Sequence, residues 1–391
     1  MLPLSDQTHR TGETAVKQPG YLGELQVLRF VAAALVLFGH VLMETRNLGI
    51  SGAHEDGVLT RLPWGAGVDI FFVISGFIIF YIIKNVGQSP HEAFDFLVKR
   101  IIRIAPLYWF YTFLMLVAVL LFRSSVEHSM IDARHFIASL FFIAWPRPDD
   151  SSFRPFLGQG WTLNYEIFFY LVAALSILSP KPHRIYYITI LIILIVVAAP
   201  YLFTGSPTID YYTNSLTLEF IAGVWLCRIR DLIRPLNRPT CLALVGLGVL
   251  ALAASALPMF DDYARPLKQG IPATMIAAGF VLRNRAAFRP SRAKTVFQQL
   301  GDASYSLYLS HPFVINGIAL VWLATVRTHP LAFEFVVFCG ALIASRMSYL
   351  IIEKPALRFL REKWESGAVI AASAPRSHLG PQPEASTDGS N

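Results

Sequence analysis

Charge is scarce in this chain of 391 residues: Asp, Glu, Lys and Arg make up 15% of it, against 54% hydrophobic residues. Soluble domains carry nearer ~25% charged residues, so water is excluded as the main solvent. A mean hydropathy of +0.50 agrees. Cysteine is scarce too. Cys227, Cys241 and Cys339 are odd in number and widely spaced, which excludes a disulfide framework and a zinc knuckle and leaves buried, inert thiols. No metal site is expected. The first ~20 residues lack the apolar core of a cleavable signal peptide, so the first apolar stretch reads as a retained helix. No internal repeat is visible, which removes the usual support for an inverted-repeat transporter. Basic residues outnumber acidic ones to give +7, yet they alternate with apolar stretches and form no single patch. That dispersal excludes nucleic acid as a partner.

Long apolar runs are what the chain has in abundance. A bilayer core about 30 Å thick takes about 20 apolar residues per helix. With that window the sequence predicts spans near 25–43, 66–83, 104–122, 161–179, 185–203, 214–227, 240–257, 269–282, 302–326 and 331–352. The sixth and eighth are short. Placing the N-terminus in the cytoplasm puts 22 of the 33 Lys and Arg on inside segments and 9 on outside loops. This positive-inside bias predicts an even helix count and two cytoplasmic termini. The expected fold is therefore all-α: a polytopic membrane bundle of about ten helices over 21–362, surrounded by lipid, with disordered ends at 1–20 and 363–391. The longest outside loop, 123–160, is either a lid over that face or a plain connector with a surface helix at 132–144.

Ionisable residues inside the spans are costly and mark candidate sites. Arg29 and His40 lie eleven residues apart on the first helix, so they share a face and stand roughly 16 Å apart along it. In GVDIFFVISGF, Asp69 falls at about the depth of His40, where a carboxylate can hold one ring N–H and raise the basicity of the other nitrogen. Ser75 and Gly76 lie deeper, and small residues there also serve close helix packing. Arg100 and Arg103, three residues apart, suit phosphate recognition or plain positive-inside anchoring. In GWTLNYEIFFY, Glu166 is surrounded by Trp161, Thr162, Asn164 and Tyr165, a stacking and hydrogen-bonding set of the kind sugars use. Tyr305, Tyr308 and His311 fall three apart on the ninth predicted helix, before a kinking Pro312. Glu353, in IIEKP, reads as the structural end of the tenth.

These stretches, in this order from about 21 to 360, resemble the integral-membrane acyltransferase family 3. GWTLNYEIFFY and the short outer loops are most similar to the branch that acetylates bacterial exopolysaccharides. The resemblance implies an O-acyltransferase of the bacterial inner membrane. Acetyl-CoA, or another acyl-CoA such as the succinyl donor, would be its donor substrate, with no bound cofactor. A carbohydrate, free or lipid-linked, would be its acceptor. It implies His40 as the catalytic residue with Asp69 as its orienting partner and Glu166 as a further member of the site. Arg29, Arg100, Arg103 and Ser75 would face the donor, and Trp161, Asn164 and Tyr165 the acceptor. Tyr305 and His311 remain further candidates. His40 acts either as a base for direct transfer or as an acyl-carrying nucleophile. The competing classes are a flippase of lipid-linked glycans and a non-catalytic subunit of a polysaccharide synthesis complex.

Overall fold

The structure, a computed structural model, describes residues 20–50, 58–121, 131–203, 205–283, 292–326 and 328–373. Among these residues no strand forms, and Leu236 and Arg283 make an isolated bridge. The α-helices in chain order are α1 (Gly20–Asn47), α2 (Val58–Arg61), α3 (Ala66–Ile83), α4 (Pro90–Leu121), α5 (Ala133–Leu140), α6 (Trp161–Ile177), α7 (Arg184–Leu202), α8 (Pro207–Tyr212), α9 (Leu218–Leu232), α10 (Arg238–Ala254), α11 (Ile271–Val281), α12 (Arg292–Asp302), α13 (Ser304–Thr325), α14 (Pro330–Ser348) and α15 (Lys354–Ser373).

Each of the ten predicted spans falls on a helix: α1, α3, α4, α6, α7, α9, α10, α11, α13 and α14. Six of these are long and apolar enough to cross a bilayer: α1, α3, α4, α7, α13 and α14. The other four run for only 11 to 17 residues. The chain is therefore an all-α, multi-pass membrane protein. Apolar side chains cover the outside of α4, α7 and α10, as a lipid-facing surface requires. The expected disorder at 1–19 and 374–391 lies outside the described residues. The expectation of disorder from 363 is corrected as far as Ser373, because α15 runs on to that residue.

α3 occupies the centre, with Ile70, Val73 and Ile83 wholly enclosed. It can do so because two glycines let it touch α9. A side chain on Gly76 would strike the carbonyl of Phe220, and one on Gly223 would strike the carbonyl of Val73. In lipid, such close approach replaces the hydrophobic drive that water provides elsewhere. Gly76→Ala is therefore expected to push the two helices apart and cost about 1–3 kcal/mol. Thermal unfolding of purified protein in detergent checks this, with unchanged stability as the contrary result.

At the end that the charge count assigns to the cytoplasm, Arg184 opens α7 wholly buried. It donates to the carbonyls of Val86 and Gly87 at 3.0 Å, of Ile177 at 3.1 Å, and of Ile83. Those carbonyls lie at and just beyond the C-terminal ends of α3 and α6. Helix ends leave such acceptors unpaired, and a cation there also meets the negative end of each dipole.

At the opposite end the loop 131–160 is folded down onto the bundle. α5 is capped by Asp132, whose side chain accepts from the His135 amide at 2.7 Å. Tyr108 and Trp109 of α4 donate to the carbonyls of Ser139 and Leu140. His135 bonds the Arg154 carbonyl through Nε2 at 2.9 Å and so ties the two arms of the loop together. Burial holds the His135 imidazole below its ordinary pKa. A lowered folded-state value means the opened loop binds the proton more readily. The clasp is thus intact above the ordinary value of about 6.5 and weakens as pH falls through and below it. Amide exchange at 136–140 should speed up between pH 7 and pH 5 beyond the chemical pH correction. In His135→Phe, that extra acid-driven increase should be gone.

Candidate active site

A cavity of about 410 Å³ runs into the bundle between α1, α3, α4, α6 and α13. Arg29, Arg100, Arg103, Ser75, Glu166 and Tyr305 all line it, so six predicted site residues from five helices meet in one space. Arg361 of α15 lines it as well. Four guanidinium groups thus face one lining carboxylate, Glu166, and the excess of positive charge suits an anionic ligand.

The side chains are held individually. Arg29 donates to Gln26 Oε1 at 3.2 Å, one turn away on α1. Arg103 is ion-paired with Glu353, whose second oxygen accepts from Ser306 Oγ at 2.6 Å. Glu353 is therefore more than the helix end expected from sequence: it lies on a π-helical turn, Tyr349–Glu353, and fixes one of the cavity's arginines. Arg100 lies over the Phe96 ring, and its Nε has no hydrogen-bond partner in the protein. Glu166 Oε1 accepts from Ser75 at 3.1 Å and from Tyr170 at 2.5 Å. The last contact was legible in principle, since Tyr170 is one helical turn beyond Glu166.

His40 is held by an imidazole. Its Nδ1 lies 2.7 Å from His311 Nε2, and the rings are nearly parallel, 11° apart, with centroids 4.9 Å apart. His311 Nδ1 lies 3.0 Å from the Leu307 carbonyl. A carbonyl only accepts, so this nitrogen carries the proton. In a neutral ring that leaves His311 Nε2 as an acceptor, and His40 Nδ1 must donate to it. His40 Nε2 is then left with a bare lone pair. The pair sits one side chain beyond the cavity wall. Tyr308 lines the cavity, and its ring centroid is 6.2 Å from that of His311. The Tyr308 hydroxyl donates to the Gln159 carbonyl at 2.9 Å and accepts from Thr162 at 3.0 Å, which joins α13 to the start of α6.

Two expected arrangements are corrected. Asp69 does not orient His40. It is fully buried, and both its oxygens accept from Arg265, at 3.0 and 2.8 Å. Hydropathy gives a residue a depth but no position around the bundle, and it is around the bundle that Asp69 meets Arg265. Arg265, read only as an outer-loop charge, was missed. The set Trp161, Asn164 and Tyr165 does not line the cavity with Glu166. Successive residues turn by about 100°, so Thr162, Glu166 and Tyr170 point one way while Trp161 and Tyr165 point away. Tyr165 stacks on Tyr211 of α8 at 4.6 Å and donates to its carbonyl, and Tyr211 donates back to the Trp161 carbonyl. Asn164 is buried, with neither side-chain atom in a direct hydrogen bond.

Comparison with known proteins agrees over most of the chain. A family model described as an acyltransferase domain matches residues 22–349. The exopolysaccharide production protein ExoZ of Rhizobium meliloti (strain 1021) is 35% identical over 298 residues, covering 75% of this chain and 89% of ExoZ. YrhL of Bacillus subtilis (strain 168), provisionally named a peptidoglycan O-acetyltransferase, is 28% identical over 327 residues. That match covers 74% of this chain and 50% of the longer YrhL. No solved structure matches.

Proposed function

The chain belongs to the integral-membrane acyltransferase family 3, on its exopolysaccharide-related side, and from that membership as an O-acyltransferase we propose a specific reaction. An acyl group, acetyl in the first instance, passes from acyl-CoA on the cytoplasmic side of the bacterial inner membrane to a hydroxyl of a surface polysaccharide. Both termini lie in the cytoplasm in this reading. The observation that carries it is the pairing of an arginine-rich cavity with an imidazole whose free nitrogen is set by a second imidazole.

The chemistry follows from that pairing. The acyl-pantetheine arm lies in the cavity, and the coenzyme phosphates lie at its arginine-lined end. Guanidinium forks suit such anions, and the arm is slender enough for the space. The thioester reaches the outer end of the cavity near Tyr308. His40 Nε2 takes the proton of the sugar hydroxyl, and the oxygen attacks the thioester carbon. The new C–O bond forms as the C–S bond breaks. The departing thiolate takes the proton from His40, giving the ester and free coenzyme thiol. His311 Nε2 holds the His40 Nδ1 proton throughout, which fixes the ring and favours its transient positive charge. Glu166, held by Ser75 and Tyr170, positions donor or acceptor atoms within the cavity.

Mass spectrometry of surface glycan tests this. A deletion strain should lose one acetyl ester per modified repeat, and the wild-type gene should restore it. Unaltered glycan mass with lost export would instead point to a flippase.

Arg103→Ala has a more particular expectation. It removes a donor contact and also leaves Glu353 buried without its cation. The apparent KM for the acyl donor should rise about tenfold or more. An unchanged KM contradicts a donor-facing role for Arg103.

A further inference from the structure

Arg361 lines two spaces at once. One is the membrane cavity. The other is a shallow pocket of about 360 Å³ on the cytoplasmic end, whose lining includes Tyr349, Lys354, Arg358, Glu362 and Glu365. Arg361 is thus common to both linings, which places the two spaces side by side. The second is built largely by α15, which begins at Lys354, beyond the matched family region ending at 349. α15 is anchored against α4. Trp364 Nε1 donates to Asp95 Oδ1 at 2.8 Å, and its ring packs on Phe94 with centroids 5.9 Å apart. The helix thus holds its basic side chains at a set place beside the cavity mouth.

We propose that α15 is the nucleotide clamp of the donor. The diphosphate of coenzyme A sits at Arg361, which both spaces share, and the 3′-phosphorylated adenosine end lies in the shallow pocket against Lys354 and Arg358. This rests on the acyl-CoA reading above and deepens it. The nucleotide is the bulkier and more highly charged end of the donor, and the second space, which shares Arg361 with the cavity, offers it two further cations, Lys354 and Arg358. Arg358 is paired with Glu362 at 2.8 Å on an exposed face, a contact a phosphate can displace because exposed pairs hold only weakly. A dianionic phosphate offers Arg358 and Lys354 a stronger partner than one carboxylate.

The test is equilibrium binding to the full chain in nanodiscs of zwitterionic lipid, with coenzyme A and 3′-dephospho-coenzyme A as probes. Wild type should bind coenzyme A about tenfold more tightly than the dephospho form, the loss expected for one charged contact. The double variant Lys354→Ala, Arg358→Ala should lose that preference. Arg361→Ala should weaken both probes about tenfold, with Arg361→Lys recovering part of the loss. Equal binding of both probes by wild type, or a preference surviving in the double variant, overturns the clamp while leaving coenzyme A as the donor. Failure of wild type to bind either probe overturns the donor assignment itself. Anionic headgroups offer the same chemistry as the nucleotide. If the Arg361→Ala effect appears only when anionic lipid is added to the discs, α15 is a lipid site and the clamp is refuted.

Discussion

His40→Ala should abolish acyl transfer, by at least about 10³-fold, while the protein still inserts and folds. The size follows from what is removed. Removing His40 takes away the Nε2 lone pair that accepts the hydroxyl proton. The nearest alternative imidazole, His311, has its Nδ1 proton committed to the Leu307 carbonyl and its Nε2 buried. His40 is only partly buried and belongs to no charged network, so its loss leaves a small gap and folding survives. His311 acts through His40, which gives it a distinct signature. In His311→Ala the His40 Nδ1 proton loses its acceptor, and the ring can turn or switch tautomer. Turnover should drop about 10- to 100-fold with donor KM nearly unchanged, and His311→Gln, whose carbonyl can accept that proton, should recover part of it. Measuring kcat and KM for the three variants checks this. Ordinary activity in His40→Ala removes the imidazole from the mechanism. Label retained on wild-type protein given radioactive donor alone, and lost in His40→Ala, would make His40 the acyl carrier and not the base.

The helices and the buried charges were legible because each is a local signal. A run of apolar residues needs no partner to be recognised, and a charge within it is conspicuous wherever it points. The pairings were not legible, since they join residues far apart in the chain. His40 and His311 are 271 positions apart, and Arg103 and Glu353 are 250 apart. Hydropathy supplies a depth for each residue but no angle around the bundle. That is why Asp69 was matched to His40 on height and in fact meets Arg265. The α6 aromatic set fails for a simpler reason. Adjacency in GWTLNYEIFFY suggests one cluster, but helical rotation sends Trp161 and Tyr165 to α8 and leaves Glu166 with Ser75 and Tyr170. Gly76 marks the opposite case. It sits beside a site residue in sequence, and its work is to let α9 approach α3.

Arg184→Ala should prevent accumulation of folded protein altogether. In sequence this residue was one more positive-inside charge, and anchoring needs only an exposed cation near the headgroups. The structure gives it another task. Its guanidinium is wholly buried and serves carbonyls from two segments, Ile83, Val86 and Gly87 after α3 and Ile177 at the end of α6. Truncation takes the guanidinium from all of these enclosed acceptors, of which Ile83 keeps the Val86 amide as a donor, and hydrogen bonds to a charged group are each worth about 1.5–3 kcal/mol. The summed loss exceeds about 4 kcal/mol even with partial relaxation, a large share of the ~5–15 kcal/mol that holds a typical domain together. Lysine keeps the charge but presents its donors from one point, whereas the planar fork spreads five over the gap between the helix ends. Arg184→Lys should therefore be intermediate. Size-exclusion profiles of a fluorescent fusion, heated in steps in mild detergent, read this without any enzyme assay. The expected order of stability is wild type, then Arg184→Lys, with no monodisperse peak for Arg184→Ala. A wild-type profile for Arg184→Ala would mean that α3 and α6 close their own ends and that the buried fork holds nothing together.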